Sequence, residues 1–204
     1  MKVTISQSNS KLGMIPTISL PAIITCRTNA PCAKEGCIGT RGNYCYKNIK
    51  KSMEQNLLIY KTNEKDYFKQ IENYLDQDII TYKYFRWHSV GDIPDCEYFE
   101  NMIKLAKKLP QTKFLAFTKQ FEIVNEVRKD YEHFPKNLQI IFSAWGNDLE
   151  IPNPFNFPIA YVRFKDNTRN TKIPGIAKEC SGECSKCLKC WDIRQGDAVV
   201  FNKH

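Results

Sequence analysis

The 204-residue sequence predicts an α/β fold. It would be one domain over residues 1–204, with a parallel sheet, open or curled into a partial (β/α) barrel, and cysteine-rich metal-binding loops near both termini. Three observations carry this expectation. Strand-like and helix-like runs alternate through residues 79–164, the pattern of right-handed βαβ units. Apolar residues make up 42% and charged residues 25%, so the chain can bury a real core. Eight of the nine cysteines fall into two groups, residues 26–45 and 180–190.

The elements follow in order. Residues 17–25 (TISLPAIIT) form a β-branched apolar run, interrupted by Pro21, that reads as a first strand leading into a loop at Cys26. Residues 47–60 and 63–76 read as helices. The second starts at Asn63 with Asp66 three positions on, a capping pattern, and carries Tyr67, Phe68, Ile71, Tyr74 and Leu75 at helical spacing. Residues 79–88 (IITYKYFRWH) are rich in Ile, Thr, Tyr, Phe and Trp, as strands are. Residues 95–109 form a helix stopped by Pro110. A strand at 113–118 (KFLAFT) leads to a helix at about 121–131, and a further strand covers 138–145. A Pro- and Asn-rich stretch at 151–158 precedes a strand at 159–164, and a last strand is expected at 198–201.

In parallel α/β folds, ligand sites gather at the carboxyl ends of the strands. That rule selects Cys26 after the first strand, and Arg86, His88, Gly91 and Asp92 after the second. It adds Thr118 and Lys119 after the third, Ser143 and Trp145 after the fourth, and Arg163 in the fifth. All are expected on the rim that receives the first cysteine loop.

No run of about 18 apolar residues is present, so no membrane-spanning helix and no membrane partner are expected. The first 14 residues lack the apolar core of a secretory signal, which implies a reducing cytoplasm. There, grouped cysteines argue for metal ligation rather than disulfides. The net charge of +8 suits a nucleic-acid partner. It better suits cations such as Arg41, Lys47, Lys50, Lys51, Lys178, Lys186 and Lys189 offsetting metal-bound thiolates. Absence of G-x-G-x-x-G, P-loop, G-x-S-x-G and H-E-x-x-H patterns removes the common nucleotide, hydrolase and zinc-protease readings.

The C-terminal group, Cys180, Cys184, Cys187 and Cys190, has the spacing C-x3-C-x2-C-x2-C. Such short gaps let successive thiolates turn inward on one loop, and Gly182 allows a turn that brings backbone amides toward the sulfurs. The run is too compressed for paired zinc knuckles, so a [4Fe–4S] cluster is the first expectation and zinc the alternative. Its first three cysteines match the spacing used by radical S-adenosylmethionine enzymes. The run stands far from the first strand, however, and has Lys186 where those enzymes place an aromatic. The N-terminal group, Cys26, Cys32, Cys37 and Cys45, is looser at C-x5-C-x4-C-x7-C, with Pro31, Gly36, Gly39 and Gly42 shaping the loop. It occupies the position where a catalytic cluster sits. One or two clusters are therefore expected, and a single shared centre is a further alternative. Cys96, at a helix start, reads as a buried structural cysteine.

Arg86 and His88 lie two apart in a predicted strand and so face one side. They could bind an anionic substrate group or move a proton, or Arg86 could simply pair with Asp92. Lys119 could contact a phosphate or carboxylate, or be solvated. His133 reads as a loop residue without a role, and His204 as a ligand only if the tail docks.

The segments NYCY (43–46), RWHSVGDIPDCEYFENMIKLAKKLP followed by KFLAFTK, and CSGECSKCLKCW…GDAVVFNKH resemble the "gene product 88" family of bacteriophages and mobile elements. The resemblance runs from about Cys26 to His204. A related phage group is similar to radical S-adenosylmethionine enzymes. The resemblance implies a bacterial host cell and points to both cysteine groups, to Arg86, His88, Asp92 and Lys119 as catalytic residues, to Gly91 and Thr118 as cofactor-binding, and to Trp191. The functional expectation is an iron–sulfur protein, a redox or radical enzyme acting on a small molecule, with S-adenosylmethionine as a second cofactor. The alternative is a metal-stabilised basic module that binds nucleic acid or a host protein without turnover.

Overall fold

The computed structural model describes residues 1–7, 9–77, 82–147 and 150–203. Its strands are β1 (Ile5–Ser6), β2 (Thr17–Ile18), β3 (Tyr84–Trp87), β4 (Lys113–Thr118), β5 (Leu138–Ser143), β6 (Ile159–Arg163), β7 (Lys178–Glu179) and β8 (Ala198–Asn202). They form one sheet in the order β1-β2-β3-β4-β5-β6-β8-β7. All pairings are parallel except β1 with β2. From β2 to β8 the order advances in one direction and never reverses as in doubly wound sheets, so this is barrel-type winding left open at the edges.

The helices are α1 (Pro31–Glu35), α2 (Lys47–Thr62), α3 (Glu64–Leu75), α4 (Cys96–Lys108), α5 (Phe121–Lys129) and α6 (Cys184–Cys187). Asn63 caps α3 by accepting the Asp66 N–H at 3.0 Å, as the sequence suggests, and Asp95 caps α4 through the Tyr98 N–H at 2.9 Å. Helices α2 to α5 cover one face of the sheet. Alternation along β4 sorts its side chains: Phe114 and Ala116 join the helix-side core with Phe68, Tyr98 and Phe99, whereas Leu115 and Phe117 face the other way. A second, smaller core lies there, with Ile141, Val199 and Trp191, against which Cys180, Cys184 and Cys190 pack.

Two expectations are corrected. The run at 17–25 is a strand only at Thr17–Ile18: Pro21 has no N–H to donate, and residues 22–26 turn, with Ile23 at φ 71°. The next strand stops at Trp87 because His88 adopts a left-handed backbone, φ 51°. Residues 79–81 of that predicted strand lie outside the described residues. Among the described residues no helix is long and apolar enough to cross a membrane.

Candidate functional site

A cavity of about 1200 Å³ lies over the inner face of the sheet and reaches the carboxyl ends of its strands. Arg86, Leu115, Phe117, Val199 and Phe201 supply part of its lining. Arg86 Nε donates to the Trp87 carbonyl at 3.1 Å, and its guanidinium carbon lies 4.2 Å from the Phe117 ring centroid. Phe201 meets Phe117 edge-on at 5.6 Å.

The connection from β6 to β8 carries the second cysteine group across this face. The Cys180 N–H bonds the Val200 carbonyl at 2.9 Å, and the Cys184 N–H bonds the Lys11 carbonyl at 2.8 Å, which fixes both ends of the loop. One turn of α6, a left-handed Leu188 and a 3-10 turn at Lys189–Trp191 follow, and all four cysteines line the cavity. Gly182, at φ 81°, aims its N–H at Cys180 Sγ, 3.4 Å away. Buried Trp191 packs edge-on against Tyr84 at 5.6 Å, and its Nε1 has no acceptor among the described residues. Burial and then the neighbouring Cys180 and Cys184 push the Cys190 thiol up to about 11. Burial also raises Cys184, with the charges of Lys11 and Arg86 acting against it.

The first group follows β2. The Ile23 N–H donates to Cys26 Sγ at 3.4 Å, and Pro31 starts the short helix that carries Cys32. Cys26, Cys32 and Cys37 line the cavity. Cys45 does not: it is exposed, and its thiol donates to the Thr40 carbonyl at 3.0 Å. Burial and then the Asp92 charge push the Cys26 thiol up to about 12. Burial raises Cys32, and the charge of Lys119 opposes that rise.

Among the described residues no three His, Cys, Asp or Glu side chains are placed to hold a metal ion, so neither loop is a preformed cage and the expected metal-binding loops are not seen as such. The physical reason is that protonated thiols have no mutual attraction; a metal that displaces their protons supplies the force that gathers them. The donor chemistry does fit a soft metal or cluster: sulfur atoms only, backbone N–H groups aimed at Cys26 and Cys180, and an unpaired indole N–H beside Cys190.

The residues after β3 and β4 close the rim between the two groups. Asp92 is buried, and its carboxylate accepts Thr118 Oγ1 at 2.6 Å and the N–H groups of Lys119 and Ile93, each at 2.8 Å. Its own N–H donates to Thr25 Oγ1 at 3.0 Å, beside Cys26. Asp92 is thus engaged in joining three chain segments, and among the described residues Arg86 has no acidic partner. Lys119 Nζ donates to Ser143 Oγ at 2.9 Å, 5.9 Å from the Trp145 ring. Gly91, at φ 81°, lets the loop run against the Leu20 carbonyl. Arg163 pairs with Glu179 at 2.5 Å.

His88 does not share a face with Arg86, because its left-handed backbone turns the ring toward the helix layer. There Nε2 meets the Tyr98 hydroxyl at 3.1 Å, and Tyr98 meets Tyr67 at 2.9 Å. Burial and the Arg86 charge push His88 down to about 3, so the ring is neutral. The unfolded chain takes up this proton first, near pH 6.5. The stability that His88 confers is therefore present above about pH 6.5 and is lost as pH falls toward about 3. Lowering the pH from 7 to 5 is expected to cost about 2 kcal/mol through this group. His88→Asn tolerates the left-handed backbone and does not titrate, so its urea-unfolding stability should fall less by about that amount; equal losses in both proteins would refute it. Asp92, raised by burial, acts with the opposite sign, but it is common to both proteins and cancels.

Cys96 is exposed at the first turn of α4, not buried as expected, because it lies on the turn's solvent side between Asp95 and Glu97. His133 is exposed, and His204 lies outside the described residues. Sequence reasoning missed Glu35. It accepts Arg169 Nη1 and Nη2 at 2.9 and 3.1 Å and Trp145 Nε1 at 3.1 Å, which ties the first cysteine loop to the far rim. Arg169 and Trp145 hold its carboxyl below the usual range. The available signal is that Glu35 is the sole acid between Cys26 and Cys45.

No curated protein and no solved structure matches the chain. A family model described as Gene product 88 matches residues 2–193, almost the whole sequence. The chain belongs to the Gene product 88 family.

Proposed function

We propose that the protein is an iron–sulfur protein whose cavity receives a small anionic molecule for redox or radical chemistry. The observation that supports this reading is that seven of the eight grouped cysteines line one cavity, together with Arg86 and Lys119. Parallel α/β folds do their chemistry at this end of the sheet. Cys26, Cys32 and Cys37 are three ligands and leave a coordination position for a non-protein group, the property of a working centre; the four cysteines of the second group suit a closed one. When bound, a cluster supplies one-electron chemistry. S-adenosylmethionine is one group for the open position, as the resemblance to radical enzymes implies.

The chain's own residues bind and orient. Lys119, held by Ser143 and through its backbone by Asp92, presents a cation to an anionic substrate. The neutral His88 ring contributes no charge. Because burial raises the Cys26 and Cys190 thiols, metal uptake there displaces protons and strengthens with pH.

Anaerobic purification is expected to yield a brown protein absorbing at about 400 nm, with about four irons per cluster. A colourless protein with stoichiometric zinc overturns the cluster reading. Formation of 5′-deoxyadenosine from S-adenosylmethionine and a reductant tests the radical branch. The competing binding-module reading rests on the net charge of +8, and a flat salt response with DNA and RNA removes it.

A further inference from the structure

Arg86 is a cation in an unusual position. It rises from the inner face of β3, lines the cavity, and spends Nε on its neighbour's carbonyl. The one carboxylate the sequence offered it, Asp92, is taken by Thr118, Lys119 and Ile93. Arg86 is half-buried and, among the described residues, has no carboxylate partner, so an anion brought into its part of the cavity would be stabilised by it. The second cysteine group lines the same cavity. Phe117, on which the guanidinium rests, packs on the same apolar cluster as Cys180, Cys184 and Cys190. The groups whose negative charge would favour the charged guanidinium are Cys184, Cys190, Tyr44 and Cys180, in that order. Neutral thiols cannot offset a full charge. Four thiolates around a divalent metal or a divalent iron–sulfur core can, because such a centre is net anionic.

We propose that Arg86 is the counter-cation of a net-anionic tetrathiolate metal centre formed by Cys180, Cys184, Cys187 and Cys190. This deepens the function proposed above and rests on its premise that the cysteines bind metal. It moves Arg86 from substrate binding to positioning and charge balance at the second centre. The first centre is left with a separate cation, Lys119, whose charge acts on Cys32.

The test uses the full chain carrying Cys32→Ser and Cys37→Ser, so that only the second group can hold metal. It is reconstituted with ferrous iron and sulfide, and in parallel with zinc. Arg86→Gln and Arg86→Met remove the charge, Met keeping the apolar stem over Phe117, and Arg86→Lys retains it. Two readouts follow: metal lost to a competing chelator and, for the cluster, the midpoint potential. The expected result is about tenfold weaker metal retention in both neutral variants, the scale of a lost outer-shell partner. The potential should shift to more negative values, because removing a cation favours the oxidised centre. Arg86→Lys should restore both. Unchanged retention and potential in the neutral variants, or a lysine variant that behaves like them, would overturn the assignment. If the Arg86-containing protein holds neither iron nor zinc, the premise itself fails, an outcome distinct from metal held equally by every variant.

Discussion

Gly91→Ala is expected to destabilise the fold by about 3 kcal/mol, the scale of a strained backbone combined with overpacking. A Cβ at residue 91 would lie 2.5 Å from the Leu20 carbonyl oxygen and 2.9 Å from Thr25 Oγ1, on a backbone at φ 81° that L side chains rarely adopt. The nearest clash is with main chain, so no rotamer change relieves it. The strain would fall on the junction between the β3 loop and the end of β2, where Leu20 N–H bonds the Val90 carbonyl at 3.1 Å. Thr25 and Asp92 meet at the same junction, so the position of Cys26 should suffer with it. Urea unfolding at constant m-value measures the loss. A change below about 0.5 kcal/mol, the range of neutral surface substitutions, would show that the loop shifts freely.

The second large effect concerns metal content. On the proposed function, Cys32→Ser should remove the metal of the first group, with loss of about half the iron if each group holds one equal cluster. Cys45→Ser should leave the iron unchanged. Cys45 is exposed and bonded to the Thr40 carbonyl, outside the cavity that the other three enter. Iron and sulfide counts on the two variants decide the matter. Equal losses would make Cys45 a ligand after rearrangement of the 3-10 turn Gly42–Cys45, and the working centre would then lack its open position.

Much of the fold was legible because its signals are local. The Asn63 cap with Asp66, the apolar stripe of α4 ahead of Pro110 and the β-branched or aromatic runs of β4 and β5 each place an element through its own composition. Strands alternating with helices imply parallel pairing, and the pairing found is parallel from β2 to β8. The failures share a cause. β2 stays short because Pro21 and the turn that follows it, with Ile23 at φ 71°, break the run, and His88 turns away from Arg86 because it leaves the extended region at φ 51°. Strand-forming composition does not report such a departure, since a single residue's φ leaves no mark in its neighbours' β propensity.

The sequence by itself determined that this chain carries two thiol groups in an α/β frame, because cysteine spacing and periodicity are properties of neighbours along the chain. Only the tertiary structure decided that seven of those thiols reach one cavity, that Cys45 does not, and that Asp92 is engaged while Arg86 has no acidic partner among the described residues. Those outcomes depend on the crossover from β6 to β8 that lays residues 180–190 over the inner face, and on hydrogen bonds such as Thr118 to Asp92 that join segments 26 residues apart. A carboxylate has only so many acceptor sites, and which donors fill them is settled in space, not in sequence.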